Sequence, residues 1–493
     1  MPSWVAVLPF FIVIPIAIFT KQVVPGLVIG LLTGCYLLHP SPLAGLHAAV
    51  TYLVTEASTP GNVRLILFLY GFGAFVGLVR VSGGVRGIAK WMESRIHTTR
   101  GAYILTWISA LATFMAPDFR IITIAPIVSH IFARLRVPPM RVAYIIDVTA
   151  TPLCAVIPIA TAFVGYMVGL ISTSLRHVPL PIAPYPLLLR SIPFNLFAWI
   201  AMLYGLLISF LPMRHVEKTL AAPSESENIT IHRRLATVEM GSMGATAAMT
   251  QDTLPSRLDI LAEKAPPVAL RLLLPLALLL CLTIILTWLD GVAKGAGGLF
   301  NAFVKADTAA AMLEALFITL VATVVYYLIR RQPISRTMFA VVAGGNEMMN
   351  VIVLLVLVWG VSAVSTDLGF ATFTEHELAR YVPHLFIAPV LFVVGSAISY
   401  VIGSSFGTWA ILLPLGFAMA PHTVIGIALV AGAVFASGTF GGFASPLSDN
   451  TVAMATVMKL PIVDYARYKL TSALVMVGVS AVGFAVLGLV LKV

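Results

Sequence analysis

Charge is scarce in this chain: Asp, Glu, Lys and Arg together make up 10% of 493 residues, against about 25% in soluble domains. Hydrophobic residues reach 59% and mean hydropathy is +1.00, so a soluble enzyme or binding domain is excluded. Cysteine is nearly missing as well. Cys35, Cys154 and Cys281 are odd in number, lie in apolar segments and have no CxxC spacing. That leaves neither a disulfide framework nor a zinc site, and casts them as small packing residues. Hydrolase signatures are absent too. His376-Glu377-Leu378-Ala379-Arg380 lacks the second His of HExxH, and GxGD does not occur. Gly403-Ser404-Ser405-Phe406-Gly407 matches GxSxG in letters only, since that elbow belongs to the strand-to-helix turn of an α/β sheet. No helix carries the regularly spaced arginines of a voltage sensor, and few show the polar stripe that would line a continuous channel. The net charge of +10 is scattered over connectors without aromatic-interleaved basic patches, which excludes nucleic acid as a partner.

Long apolar runs are what the chain has instead. Pro267 to Leu289, Ala309 to Ile329 and Leu470 to Leu491 each reach the roughly 20 residues needed to span about 30 Å of hydrocarbon. The first run, Trp4 to Thr20, has no basic segment before it and no small-residue cleavage site after it, so it reads as a retained membrane helix rather than a signal peptide. The excess of Lys and Arg then follows the positive-inside rule.

One polar stretch, 213–265, interrupts the pattern and reads as a cytoplasmic linker between two membrane repeats, 1–212 and 266–493. The sequon Asn228-Ile229-Thr230 falls inside it and is taken as chance. Pro126 and Pro158 recur as Pro414 and Pro446, both 288 residues later. Connectors at matching positions carry opposite charge. The stretch from Arg80 to Arg100 and that from Arg134 to Arg141 are basic, whereas their counterparts hold Asp367, Glu375, Glu377 and a single Arg380, or only His422. Conversely, Arg330 to Arg336 and Lys459 to Lys469 align with first-half stretches nearly devoid of basic residues. Matching loops thus face opposite sides, the signature of inverted repeats. The fold expected is an all-α polytopic membrane protein with about 10 transmembrane helices plus two helical hairpins and unwound helices at mid-membrane. First-half spans near 4–20, 24–38 and 65–79 precede a hairpin broken at Ala116-Pro117-Asp118, an interrupted span over 142–172 and a span over 188–212. The second half repeats the order: spans near 267–289, 308–328 and 350–366, a hairpin over 383–420 broken at Gly403-Ser404-Ser405, an interrupted span over 424–458 and a last helix.

Broken helices present unpaired carbonyls to cations and unpaired amides to anions at membrane depth. The breaks therefore supply the candidate ion and substrate ligands. They are Asp118 in the first hairpin, Asp147, Thr149 and Thr151 in the first interrupted span, Ser404, Ser405 and Thr408 in the second hairpin, and Ser445, Ser448, Asp449, Asn450 and Thr451 in the second interrupted span. A central carboxylate costs roughly 2.5 to 3.5 kcal/mol on insertion scales, which makes Asp147 and Asp449 the candidate Na+ ligands or proton carriers. Each has a structural alternative: a helix N-cap for Asp449, an interhelical hydrogen bond for Asp147, and a hairpin-tip ion pair with Arg120 for Asp118. Ser404, Ser405 and Thr408 can equally serve close helix packing. Glu314 and Glu347 lie near span ends, where water is within reach.

Asp118-Phe119, the run Tyr144-Ile145-Ile146-Asp147-Val148-Thr149-Ala150-Thr151-Pro152-Leu153-Cys154, and Ile157-Pro158-Ile159 form one set of motifs. Gly403 to Ile411, Ser445 to Thr451, and the weaker Ser82-Gly83-Gly84 and Leu368-Gly369 form another. Over residues 65–460, outside the linker, these resemble the NhaC-type sodium/proton antiporter family of the ion-transporter superfamily. The resemblance implies inverted repeats with paired hairpins, an elevator-type movement against a scaffold, and an ion site at Asp147, Asp449 and the Ser/Thr groups around them. The chain departs from the family's pattern in two places. Pro117 and Asp118, with Arg120-Ile121-Ile122 beyond them, stand where an acidic pair followed by Asn is usual, and Gly441-Gly442-Phe443 replaces Gly-Asp-His. The function expected is a secondary transporter of cation/proton antiport type. Ion-coupled exchange of a small carboxylate or amino acid is the second reading, and an intramembrane aspartyl-type enzyme a remote third. No cofactor is expected beyond a bound Na+. The partners expected are membrane lipid and the transported cation, proton or solute, with a homodimer open, in a bacterial inner membrane.

Overall fold

A computed structural model of the chain describes residues 5, 8–84, 86–88, 96, 98–159, 161–175, 178, 182–210, 258, 261, 265–298, 302, 305–369, 383–421 and 423–491. Among these residues every long element is a helix and no strand occurs. The linker expected at 213–265 lies almost wholly outside the described residues, as do Glu375, Glu377 and Arg380. Of its end, Leu258 is buried against Leu78, Val81, Tyr327 and Ala340.

The first half runs α1 (Leu8–Thr20), α2 (Val23–Leu38), α3 (Pro42–Ser58), α4 (Pro60–Val81), α5 (Thr99–Thr113), α6 (Pro117–Arg134), α7 (Pro139–Val148), α8 (Thr151–Cys154), α9 (Ala162–Leu175), α10 (Pro184–Ser191) and α11 (Leu196–Phe210). The second half runs α12 (Leu270–Ala293), α13 (Thr308–Ile329), α14 (Ile334–Glu347), α15 (Met349–Asp367), α16 (His384–Ile402), α17 (Ser405–Met419), α18 (Val424–Ala444), α19 (Asp449–Met458) and α20 (Ile462–Leu491). Among the described residues, seven helical segments are long and apolar enough to cross a membrane: α4, α12, α13, α15, α16, the broken α18–α19 segment and α20. An eighth results if α10 and α11, bent by 48° at Asn195, count as one span. The shorter apolar helices α1, α2, α9 and α17 accompany them.

All four expected breaks are present. Pro117 opens α6, where its missing N–H is no loss, and so separates α5 from α6. Thr149 and Ala150 interrupt the helix after α7, and Pro152 starts the short α8. Gly403, in the left-handed region at φ +77°, ends α16, and the Ser404 hydroxyl caps α17 by accepting from the Gly407 amide at 3.1 Å. Pro446 follows the end of α18 at Ala444, and α19 restarts at Asp449.

Sequence spacing misplaces three features. Helix α3 was not anticipated; its Leu43, Leu46, Val50 and Val54 face outward as an exposed apolar stripe, while it packs on α2 and α15. Cys281 is exposed on α12, so only Cys35 and Cys154 are packing residues. The last helix begins at Ile462 rather than near Leu470, so Lys469 belongs to a buried helical stripe and not to a basic connector.

Helix α18 is the hub of the fold. It is buried continuously from Gly426 to Ala444, and its small residues let α16, α17 and α11 approach closely. A second close crossing, α4 on α14, rests on Gly73, Gly77 and Gly344, where any Cβ would meet the opposite helix's backbone. Helices α12 and α13 complete that layer beside α4.

Candidate functional site

The two interrupted spans meet at the centre of the fold. Helix α19 packs against α6 and α7 and so brings the second-half break onto the first-half one. The Asn450 side-chain amide donates to the Thr151 hydroxyl at 2.6 Å, joining positions 299 residues apart. The second hairpin arrives at the same place: a Cβ at Gly442 would collide with the Ser405 hydroxyl and lie 3.3 Å from the Thr151 methyl. The position that departs from Gly-Asp-His is thus a point of close approach, where an added Cβ would require the Ser405 hydroxyl to turn away.

Asp147, in the last turn of α7, is fully buried, and its carboxylate is not free. Lys469 of α20 donates to Asp147 Oδ2 at 2.6 Å and to the Thr451 hydroxyl at 2.8 Å, and the Tyr465 hydroxyl donates to the same Oδ2 at 2.9 Å. Both members of the ion pair have zero solvent exposure. The ammonium also lies 4.4 Å from the Tyr465 ring centre and 5.1 Å from that of Phe443, in cation–π contact. The other oxygen, Asp147 Oδ1, is buried and has no hydrogen-bond partner among the described residues. Such an atom in a low-dielectric interior is a standing acceptor for a proton or a cation. Replacing Tyr465 with Phe removes one charge-assisted bond and is expected to destabilise the protein by about 1.5–3 kcal/mol, read by thermal unfolding in detergent.

Arg120 is the second buried cation. It does not form the hairpin-tip pair with Asp118. Instead, the guanidinium turns inward and donates to the hydroxyls of Thr149, Thr113 and Ser109 and to the carbonyl of Thr106. Thr149, a candidate ligand, thus spends its acceptor capacity on Arg120 and donates to the carbonyls at the end of α7.

Other candidate residues have structural partners. The Ser405 hydroxyl donates to Gly438 O at 2.8 Å, Thr408 to Ser404 O at 2.9 Å, Ser445 to Tyr400 O at 2.6 Å and Ser448 to Gly442 O at 2.6 Å. These bonds fasten the hairpin and the break to one another, because each hydroxyl satisfies a carbonyl next to unwound or glycine-rich backbone. Ser448 takes the N-cap position of α19, which makes Asp449 its first residue rather than its cap. Asp118 and Asp449 are exposed, each in the first turn of its helix, where a carboxylate complements the positive end of the dipole. Asp118 lies within electrostatic reach of Asp449, Glu347 and Arg80. Arg80 itself is buried and bonded to Glu347 at 3.0 Å. Asp147 is not hydrogen-bonded to Asp449, so the two do not share a proton as an aspartyl dyad would. Glu314 is exposed on α13, away from these bonds. A cavity of about 700 Å³ between α3 and α15, lined by His47, Tyr52, Trp359 and Asp367 among others, includes none of the residues at the breaks.

Lys469 and Tyr465 were missed from sequence. The available signal was the stripe Tyr465, Lys469, Ala473, Met476, Ser480 and Phe484, which continues the buried face of α20 back through residues that look like a loop.

A model of the Na+/H+ antiporter family matches residues 161–489. An uncharacterized protein of Haemophilus influenzae is 24% identical over 501 residues, covering 98% of this chain and 90% of its own length. Two solved structures are similar in fold. The YdaH transporter of Alcanivorax borkumensis has a TM-score of 0.55 at 15% identity, with 90% of this chain and 88% of that one covered. MtrF of Neisseria gonorrhoeae, described as illuminating a class of antimetabolite efflux pumps, has a TM-score of 0.58 at 12% identity, with 90% and 84% covered. The matched family and both neighbours are transporters.

Proposed function

The chain belongs to the Na+/H+ antiporter family of membrane transporters, and on that premise we propose that it exchanges Na+ or Li+ for protons, with Asp147 as the cation carrier and Lys469 as its internal counter-ion. The observation that carries this reading is the buried Asp147–Lys469 pair, which ties the first-half break to the last helix while leaving Asp147 Oδ1 unpartnered. An entering cation binds the Asp147 carboxylate and displaces the ammonium, which then gives up its proton. The reverse step reloads Lys469 with a proton and expels the cation. The charge of the buried site is the same in both states, which avoids the cost of an unpaired charge in the low-dielectric interior. Asp118 and Asp449, exposed at two helix starts, act as the way-station between water and Asp147, and Thr151, Asn450 and Thr451 as neutral ligands beside it.

The movement we propose is elevator-like, with the two halves acting as inverted repeats in a bacterial inner membrane. The glycine-tight α4–α14 layer suits a fixed scaffold, and the cluster of breaks held by α18 suits a body that moves as one. A second reading, ion-coupled exchange of a small organic solute, is favoured by the fold likeness to MtrF.

Proteoliposomes under an imposed pH gradient test both readings, with Na+, Li+, K+ and then small carboxylates or amino acids added in turn. Na+ or Li+ is expected to collapse the gradient in the wild type, with no response in Asp147→Asn and a response at least about tenfold slower in Asp449→Asn. A wild-type rate in Asp147→Asn would remove that residue as the carrier. Collapse by an organic solute alone moves the assignment to the second reading.

A further inference from the structure

Arg120 presents a problem of charge. It has zero solvent exposure, yet among the described residues it forms no ion pair with a carboxylate. All its bonds go to neutral oxygens. The Thr149 hydroxyl accepts at 2.7 and 3.1 Å, the Thr113 hydroxyl at 2.8 Å, the Ser109 hydroxyl at 3.3 Å and the Thr106 carbonyl at 2.8 Å. Four oxygens from hydroxyl and carbonyl groups, ringing one buried cationic group, are the ligand chemistry of a hard cation.

The position adds a second argument. Thr149 is the C-cap of α7, so the guanidinium stands at the open C-terminal end of a half-helix at the break, where the dipole places partial negative charge. In discontinuous membrane helices such ends, with unwound carbonyls, hold the transported cation. Here that place is taken by a side chain with all five donors in use. Lys469 stands in a different relation to its break, because it faces a carboxylate whose second oxygen is open.

We propose that Arg120 is a tethered cation filling an alkali-cation site at the end of α7, so that this site carries a fixed charge and each chain exchanges a single cation, at Asp147. The single-cation part rests on the antiport reading; the filled site does not. A carrier with one exchangeable site has no second coupling ion to lose, and its cation dependence is non-cooperative. Shortening Arg120 should vacate the oxygen cage and convert a fixed charge into a requirement for a free one.

The test is thermal unfolding of the purified full-length chain in detergent, with NaCl, LiCl and KCl titrated against choline chloride at constant ionic strength. Arg120→Ser, which opens the cage, is expected to be less stable than the wild type in choline. It should gain a saturable rise in melting temperature with Na+ or Li+ beyond any shift the wild type shows. Arg120→Lys keeps a tethered charge and should show no added shift. In proteoliposomes, the cation dependence of Arg120→Ser should become cooperative where that of the wild type is not. If Arg120→Ser and the neutral Arg120→Met are as stable in choline as in Na+, the site needs no cation and the proposal is overturned. If neither can be recovered in any of these salts, Arg120→Lys decides. A folded Lys variant shows that a point charge suffices, while its loss shows that the forked geometry is what matters and overturns the proposal. A wild type that moves no Na+ would remove the antiport reading without touching the Arg120→Ser gain, so the two failures are distinguishable.

Discussion

Asp147→Asn is expected to lower stability by about 3–5 kcal/mol, since it leaves the Lys469 ammonium buried without its counter-charge. Coupled exchange should fall at least about 100-fold, equivalent to about 2.7 kcal/mol. Removing both charges at once separates the two effects. Asp147→Leu combined with Lys469→Met replaces a fully desolvated ion pair by apolar side chains, a change that is neutral or stabilising by about 1–4 kcal/mol in comparable cases. The double variant should therefore unfold at or above the wild-type temperature while remaining inactive in the flux assay. Recovery of stability without recovery of transport identifies the pair as the transport machinery. Exchange in the double variant would show that the ion passes elsewhere.

Gly441→Ala should be the most costly single methyl added to the central helix. A Cβ there would lie 2.5 Å from both the Cβ and the carbonyl carbon of Ser399, closer still to its hydroxyl, and cannot be relieved by a side-chain rotation alone. Helices α16 and α18 must part, at an overpacking cost of about 1–3 kcal/mol. That separation would disturb the Ser399 and Ser405 bonds to Gly438 that hold the second hairpin on the break. Gly478→Ala is the control. It lies on the exposed face of α20 with nothing within 4 Å of the added carbon, and should gain up to about 1 kcal/mol from helix propensity. Thermal unfolding of the two variants side by side reads the contrast, and equal stabilities would contradict the packing described for α18.

The breaks were legible because the residues that cause them act locally. Pro117, Pro152, Gly403 and Pro446 stand beside small polar residues, where helix ends are favoured, and hydropathy marks the spans around them, whereas Pro126 and Pro414 lie inside α6 and α17 without ending them. Asp147 could be singled out because a carboxylate at membrane depth is costly wherever it points. Its partner could not. Lys469 reads as the end of a basic connector when only the apolar run is followed, and Arg120 reads as the neighbour of Asp118 when only chain distance is considered. Helix α3 escaped notice because its apolar residues, read along the chain, are interspersed with His47, Thr51, Tyr52 and Glu56, which belong to another face.

Composition, spacing and the placement of proline and glycine were enough for the class of protein, the order of its spans and the four interruptions, since each depends on properties a residue carries with it; the family came from the resemblance of the motifs around Asp147, Ser405 and Asp449. Tertiary structure alone decided which charges meet. Asp147 and Lys469 are 322 residues apart, and Asn450 and Thr151 are 299 apart. Whether such groups touch depends on the rotational phase of each helix and on how closely α18 lets its neighbours approach. A shift of one residue in a helix turns a side chain by about 100°, enough to send the Lys469 ammonium away from the carboxylate and into lipid.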